Sequence, residues 1–88
     1  MSMNWLHFLL GRRAVKRDGG SADKAIVVSC IEEEYLWIQQ NCPAAQCHGQ
    51  ELRTIKDKPY DVFTLIEESG RLRIVFFDIS AFFGEKEE

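Results

Sequence analysis

Residues 60–79 read Y-D-V-F-T-L-I-E-E-S-G-R-L-R-I-V-F-F-D-I. Two runs in this stretch, 60–67 and 72–79, are rich in the β-branched and aromatic residues that are typical of strands. The short segment between them contains Gly70, and a glycine in a short polar connection favours a hairpin. The stretch therefore predicts a β-hairpin.

Both faces of the predicted hairpin are apolar. Successive side chains of a strand point to opposite faces, so the residues divide into two sets. In 60–67, one face would carry Tyr60, Val62, Thr64 and Ile66 and the other Phe63 and Leu65; in 72–79, one face would carry Leu72, Ile74 and Phe76 and the other Val75, Phe77 and Ile79. Strands of this kind are normally covered on both sides. The hairpin therefore needs a covering element on each face.

A strand followed by a helix is predicted upstream of the hairpin. The run A-I-V-V-S at 25–29 is short, apolar and β-branched, which favours a strand. Ser29 and Glu32 have the spacing of a capping box, and Pro43 marks the end of the helix predicted over 30–41. Three acidic residues fall in the first turn, where the helix dipole favours negative charge: Glu32, Glu33 and Glu34.

One side of this helix is expected to pack on the sheet. Ile31, Tyr35, Ile38 and Cys42 recur at intervals of four, three and four residues and share one stripe. The three glutamates of the first turn point in three directions, which does not suit paired acid–base chemistry. The stripe therefore predicts the helix covering one face of the hairpin.

The remaining segments complete an α+β fold in the order β-α-β-β-β. We expect an exposed strand over 50–56, a turn at D-K-P-Y (57–60), and a small, mostly antiparallel four-stranded sheet with the helix on one face. The β-α-β step would be a right-handed crossover if its two strands were parallel neighbours. The predicted domain organisation is an N-terminal apolar and basic arm or short helix at 1–17, a flexible linker at 18–24, one domain at 25–84 and an acidic tail at 85–88.

Composition and charge favour a single globular domain and argue against nucleic-acid binding. The 88 residues are 45% hydrophobic and 28% charged, which suits a single globular domain. The net charge of −3 combines +4 in residues 1–17 with −7 in the remainder. An acidic body repels a phosphate backbone, so we expect no nucleic-acid partner.

Cysteine usage and the N-terminus predict a cytoplasmic protein. Three cysteines are an odd number, and the chain shows no secretory signal, because its basic residues follow the apolar run. The apolar run from Trp5 to Leu10 is too short to span a bilayer. A peripheral membrane protein anchored by the arm is an alternative, but the arm's cations project to the same side as its apolar arc, which a surface-lying helix does not favour.

A cluster of potential metal ligands lies near the helix end, in C-P-A-A-Q-C-H at 42–48. A metal- or thiol-dependent redox protein would use Cys30, Cys42, Cys47 and His48. The Cys42-x₄-Cys47 spacing lies at the edge of the range of zinc half-sites, and the helix stripe already assigns Cys42 to the core. The segment is also a stretched form of the C-x-x-C-H haem-attachment signal, whose chemistry takes place outside the cytoplasm. We therefore expect no metal and no cofactor.

Other polar residues have simple structural roles. His7 and His48 have no catalytic partner that the sequence places beside them, except the neighbouring Cys47. Asp78 interrupts an apolar run, and we expect it to end the strand and cap the following residues together with Ser80. The segment after Ser80 predicts one helical turn. No enzymatic constellation emerges.

The uncovered face of the hairpin carries the functional prediction. The candidates to cover it are the Trp5–Leu10 segment, Phe82 with Phe83, or a second protein molecule. We predict a small non-enzymatic protein that acts through protein–protein contacts, with a homodimer as the simplest assembly. The predicted interaction surface consists of Trp5, Leu6, Phe8, Leu9, Phe63, Leu65, Phe82 and Phe83.

Overall fold

The computed structural model describes residues 17–84, which contain one α-helix and one four-stranded sheet. The elements are β1 (Ile26–Val27), α1 (Ile31–Asn41), β2 (Gln46–Ile55), β3 (Lys58–Ile66) and β4 (Leu72–Asp78). The strand order is β1-β4-β3-β2, with β1 parallel to β4 and the other pairs antiparallel. The predicted α+β fold, with one helix and a mostly antiparallel sheet, is confirmed. The predicted arm up to residue 16 and the acidic tail at 85–88 lie outside the described residues.

The connection from β1 to β2 is not a crossover between neighbours. These two strands are parallel to each other but occupy opposite edges of the sheet, with the β3–β4 hairpin between them. Helix α1 therefore passes over two intervening strands. The right-handed crossover was predicted only if the two strands were parallel neighbours. They are not neighbours, because the two-residue strand β1 pairs with β4.

The β3–β4 hairpin forms as predicted. Ile66 pairs with Leu72, and Gly70 has a φ of +94° in the connection between them. The hairpin's α1-facing side chains belong to the buried core: Phe63, Leu65, Val75, Phe77 and Ile79. Trp37 and Ile38 of α1 pack against this core. Burial of these aromatic and aliphatic side chains is the main favourable term in the stability of so small a domain.

The turn between β2 and β3 lies two residues earlier than predicted. Ile55 pairs with Lys58, so the connection consists of Lys56 and Asp57, both at positive φ. Two central residues at positive φ give the twist that a two-residue hairpin requires. Pro59 therefore lies inside β3, where its carbonyl oxygen accepts a hydrogen bond from the Ile79 N–H at 3.2 Å. The turn predicted at 57–60 was wrong because Pro59 was taken as a turn residue.

Helix α1 begins one residue later than the capping-box interpretation requires. Cys30 is the N-cap and makes no side-chain cap hydrogen bond. The Glu33 carboxylate, rather than that of Glu32, accepts hydrogen bonds from the Ser29 N–H at 2.7 Å and the Ser29 hydroxyl at 3.3 Å. The reciprocal bond of a full capping box is absent among these described residues. The glutamates nevertheless occupy the first turn, as predicted.

The face that α1 presents to the sheet differs from the predicted stripe. Glu34 is fully buried, whereas Ile31 is 42% exposed and Tyr35 is 51% exposed. Tyr35 still contacts the core edge-on, with its ring centroid 5.8 Å from that of Phe63. Cys42 is buried, as predicted. The predicted stripe differs from the buried face because a pattern of apolar residues gives no indication that a carboxyl group will be buried.

Residues 18–24, for which composition predicts a flexible linker, hydrogen-bond to the domain. The Gly19 carbonyl oxygen accepts a hydrogen bond from the Phe76 N–H at 2.7 Å, and the Gly19 N–H donates to the Lys24 carbonyl at 2.8 Å. A single 3-10 turn follows at Ala22–Lys24. Ala22 and Ala25 pack on the side of the sheet away from α1. This segment therefore shields part of that side of the sheet from solvent, which the prediction of a flexible linker did not include.

Gly19 is the position in this segment where a side chain is least tolerable. Its φ is +80°, and an added Cβ would lie 2.8 Å from Cγ1 of the buried Val75. We expect Gly19→Ala to lower the free energy of unfolding by about 2 kcal/mol, because conformational strain and overpacking add. Urea denaturation measures the change.

Gly70→Ala is the matched control for this substitution. Gly70 also has a positive φ, but an added Cβ would meet no atom within 4 Å. Its expected cost is about 1 kcal/mol, from conformational strain alone. Equal losses for the two variants would show that contact with Val75 contributes nothing.

Candidate functional site

The side of the sheet that faces away from α1, which we call the open face, is only half covered. At one end, Ala22 and Ala25 pack on Tyr60 and Val62, with Phe76 beside them. At the other end, two apolar side chains of β4 are in contact with solvent: Ile74 is 40% exposed and Leu72 is 58% exposed. Sequence reasoning therefore placed the uncovered apolar surface on the correct strands, although residues 22–25 shield part of it.

The rim of the open face carries charges of both signs. Glu51 and Arg53 form an ion pair on β2, and the Arg53 guanidinium lies 5.9 Å from the centroid of the Phe76 ring. Gly49, which pairs with Thr64, leaves open space at the edge of the patch. Glu51 and Arg53 pair with Val62 and Tyr60 across the strands, so both charges lie at the end of the open face that Ala22 and Ala25 cover.

The predicted interaction residues do not form one surface. Phe63 and Leu65 are fully buried against α1 and cannot contact a partner, which corrects that prediction. Phe82 is half-buried on the helix side of the sheet, so it does not cover the open face; Phe83 is 52% exposed. The first four predicted residues lie outside the described part of the chain: Trp5, Leu6, Phe8 and Leu9. The exposed patch consists instead of Leu72 and Ile74, which the predicted interaction surface did not include.

A second feature is a groove on the helix side of the sheet, which we call the carboxyl groove. Its volume is about 240 Å³. Its lining residues come from α1, β2, β3 and the chain after β4: Ile31, Gln50, Leu52, Asp61, Ile79, Phe82 and Phe83. The walls are mostly apolar, and the carboxyl group of Asp61 is the one acidic side chain among these lining residues.

Glu34 lies next to Asp61 and is fully buried. Neither of its carboxyl oxygens has a hydrogen-bond partner of normal geometry. Burial raises the pKa of Glu34 to about 9, with further contributions from hydrogen bonding to Asp61 and from the charge of Asp61. Glu34 therefore holds its proton at neutral pH. The sequence offered no signal for this residue beyond its place in an acidic first turn.

A larger cavity of about 520 Å³ lies at the end of the sheet near the β2–β3 turn. It is lined by residues of both charges, but several are already engaged. The Arg17 guanidinium donates to the Ala25 carbonyl at 3.1 Å, and the Lys58 ammonium lies 3.0 Å from Asp78. These pairings leave the cavity without a clear preference for an anion or a cation.

Asp78 has the structural role that the sequence predicts. Its Oδ1 accepts hydrogen bonds from the Ser80 N–H at 2.9 Å and the Ser80 hydroxyl at 2.5 Å. Burial alone would raise the pKa of Asp78, but the hydrogen bonds from Ser80 and the interaction with Lys58 outweigh it and lower the pKa below its usual value. The Phe82 and Phe83 N–H groups both donate to the Ile79 carbonyl, which closes the predicted helical turn.

The possible metal ligands do not converge. Cys42 is buried in the core, Cys30 is half-buried at the start of α1, and Cys47 is exposed on β2. His48 is exposed at an irregularity in the β2–β3 register between Cys47 and Gly49. Within residues 17–84, no group of three or more histidine, cysteine or acidic side chains could hold a metal ion. Residues 17–84 therefore do not bring these side chains together as a metal site, and the thiol-dependent alternative stays a prediction.

The membrane alternative rests on residues that precede the described part of the chain. Among residues 17–84, the single α-helix is 11 residues long, and no helix has the length and apolar character needed to cross a bilayer.

Comparison of the chain with protein-family models, with curated proteins and with solved structures gives no significant match, so the site has to be interpreted from its own geometry.

Proposed function

We propose that this protein is non-enzymatic and acts by associating with a second copy of itself through the open face. The observation that supports this proposal is the exposure of Leu72 and Ile74 on the flat surface of a sheet. Apolar side chains grouped on one sheet face are costly to leave in water and are typical of contact surfaces. The cytoplasmic location of the protein stays a prediction from the sequence.

A second copy suits this surface for two reasons. A two-fold axis brings the same patch of each molecule together, which is the commonest arrangement among soluble oligomers. Contact between two copies would also remove Leu72 and Ile74 of both molecules from water at once. Residues 1–16 of the same chain are the competing occupant, because they also contain a run of apolar side chains.

The proposal predicts that Ile74→Asp disrupts association. We expect the full-length protein to have the mass of a dimer in light scattering, and Ile74→Asp to have the mass of a monomer, because a carboxylate at the interface would be desolvated without a partner. Leu72→Lys provides a second substitution on the patch if Ile74→Asp folds poorly.

Leu36→Asp is the matched control. Leu36 is 50% exposed on α1, away from the open face, and its substitution should leave the mass unchanged. A monomeric full-length protein would refute self-association and favour residues 1–16 as the cover. A dimer that survives both patch substitutions would place the interface elsewhere.

A further inference from the structure

We propose that the outer edge of β2 pairs antiparallel with the same edge of a second copy, about a two-fold axis at Leu52. The four-stranded sheets of the two molecules would then join into one continuous sheet. This contact lies at the edge of the sheet and is weaker than the association through the open face, which it neither requires nor replaces.

Strand β2 lies at one edge of the sheet and is the longest strand of the described chain. It extends over Gln46–Ile55, and eight of its ten residues are exposed. A long edge strand carries a row of unpaired backbone N–H and C=O groups, which natural proteins usually shorten or cover. Because β1 at the other edge is only two residues long, β2 is the edge that can accept a further strand.

The outward backbone groups of β2 belong to alternate residues. Ile55 and Lys58 flank the two-residue turn, and a pair in that position exchanges hydrogen bonds. Bonding alternates along an antiparallel ladder, so Arg53 and Glu51 also bond to β3. The residues between them direct their N–H and C=O groups away from β3: Gln50, Leu52 and Thr54. Pro59, which has no N–H, lies opposite Thr54, as this division requires.

The regular part of β2 is centred on Leu52. The register with β3 shifts between Cys47 and Gly49, and the turn follows Ile55, so the uninterrupted stretch covers residues 49–55. Two such stretches that pair antiparallel along their full length place Leu52 opposite its counterpart in the second copy. Leu52 is 55% exposed, so this pairing removes an apolar side chain of each molecule from water.

The order of charges along β2 favours the same register. With Leu52 on the axis, Glu51 of each copy lies opposite Arg53 of the other, at positions that exchange no hydrogen bonds and where side chains come closest. Glu51 and Arg53 already form an ion pair within the chain, so pairing of two copies creates a group of four alternating charges. An axis at Glu51 or at Arg53 would instead place like charges opposite each other, which is destabilising.

The partner that fits this edge is therefore a second copy, because the complementary charges and the central leucine are supplied by the strand's own sequence. The contact is small. Pairing of so few residues buries less than about 1,200 Å², which is the range of weak and transient interfaces. We expect a Kd on the order of 1 mM, so the edge contact forms only in concentrated solution.

Sedimentation equilibrium of full-length Ile74→Asp tests the proposal, because this substitution removes the open-face contact. We expect a monomer at about 0.02 mM and reversible dimerisation as the concentration rises to about 2 mM. In NMR spectra over the same range, the amide signals that shift should include those of the outward residues: Gln50, Leu52 and Thr54. Leu72→Lys replaces Ile74→Asp as the parent for these measurements if Ile74→Asp folds poorly.

Reversal of the charges tests the register. Arg53→Glu places two glutamates opposite each other on both sides of the axis, and we expect it to weaken dimerisation by about tenfold or more. Adding Glu51→Arg to this variant restores opposite charges across the axis and should recover the affinity. A loss caused by misfolding or by a change in net charge alone would not be reversed in this way.

Arg71→Glu is the matched control, because it makes the same change in net charge at an exposed position in the β3–β4 connection. It should leave dimerisation unchanged. Absence of dimerisation at about 2 mM, an unchanged Kd in Arg53→Glu, or failure of the double reversal to restore affinity would overturn the proposal. The mass of the unsubstituted protein in dilute solution reports on the open face alone, so the outcomes for the two surfaces are distinguishable.

Discussion

The free energy of unfolding of Glu34→Gln is expected to exceed that of the parent protein by about 4 to 5 kcal/mol at pH 8. The parent has to keep a proton on Glu34 when it folds, because the carboxyl group is fully buried and lies beside Asp61. Glutamine has nearly the same shape, stays neutral at every pH, and its amide can donate to Asp61 as a protonated carboxyl group would.

The direction of the pH dependence follows from the raised pKa. The usual pKa of Glu34 is 4.5, and the folded state raises it to about 9. Between these values the folded protein holds a proton that the unfolded chain has released. The free energy of unfolding therefore falls as the pH rises through this window, and the contribution of Glu34 to stability is fully present only below it.

Urea denaturation at several pH values between 5 and 9 measures this effect. The parent should lose stability steadily as the pH rises, whereas Glu34→Gln should show a flatter profile, and the two should converge near pH 5. Glu32→Gln is the control, because it removes a carboxylate from the same helical turn at an exposed position. If the free energies of unfolding of the parent and of Glu34→Gln changed equally with pH, Glu34 would be ionised in the folded protein.

The sequence predicted the hairpin because its signal is local and redundant. Alternation put Phe63 and Val62 on opposite faces of β3, and Phe77 and Phe76 on opposite faces of β4, and the structure confirms both divisions. Gly70 marked the connection because a position at positive φ favours glycine. These features depend on residues close together in the chain, so tertiary structure had little to override.

The candidate site was harder to predict because it depends on tertiary contacts. Burial of Glu34 requires α1 to rotate away from its apolar stripe, and no rule of periodicity places a carboxyl group inside. The groove beside it unites α1, β2, β3 and the turn after β4, which lie far apart in sequence. The exposed patch was not predicted, since the predicted interaction surface named Phe63 and Leu65 of the buried face, and the cover supplied by Ala22 and Ala25 follows from Gly19 pairing with Phe76.

Phe77→Ala is expected to reduce the free energy of unfolding by about 3 to 5 kcal/mol, which is the largest loss of stability we predict for a single substitution. The Phe77 ring lies between two other aromatic rings, with its centroid 5.4 Å from that of Phe63 and 5.8 Å from that of Trp37. It is fully buried, so its removal leaves a cavity at the contact between α1 and the sheet. A chain of this size has a total stability of about 4 to 13 kcal/mol, so the variant would be close to unfolding.

Urea denaturation of two variants keeps this prediction testable even if Phe77→Ala does not fold. Phe77→Leu retains most of the apolar volume and should lose about 1.5 kcal/mol or less. Leu36→Ala is the control, because it also truncates an apolar side chain but at a position on α1 that is 50% exposed, and it should change stability by about 0.5 kcal/mol or less. If Phe77→Ala lost no more stability than Leu36→Ala, helix α1 could not pack on β4 through the Trp37–Phe77 contact. The groove built where α1 meets the sheet would then have no rigid support, because the same packing holds Glu34 beside Asp61.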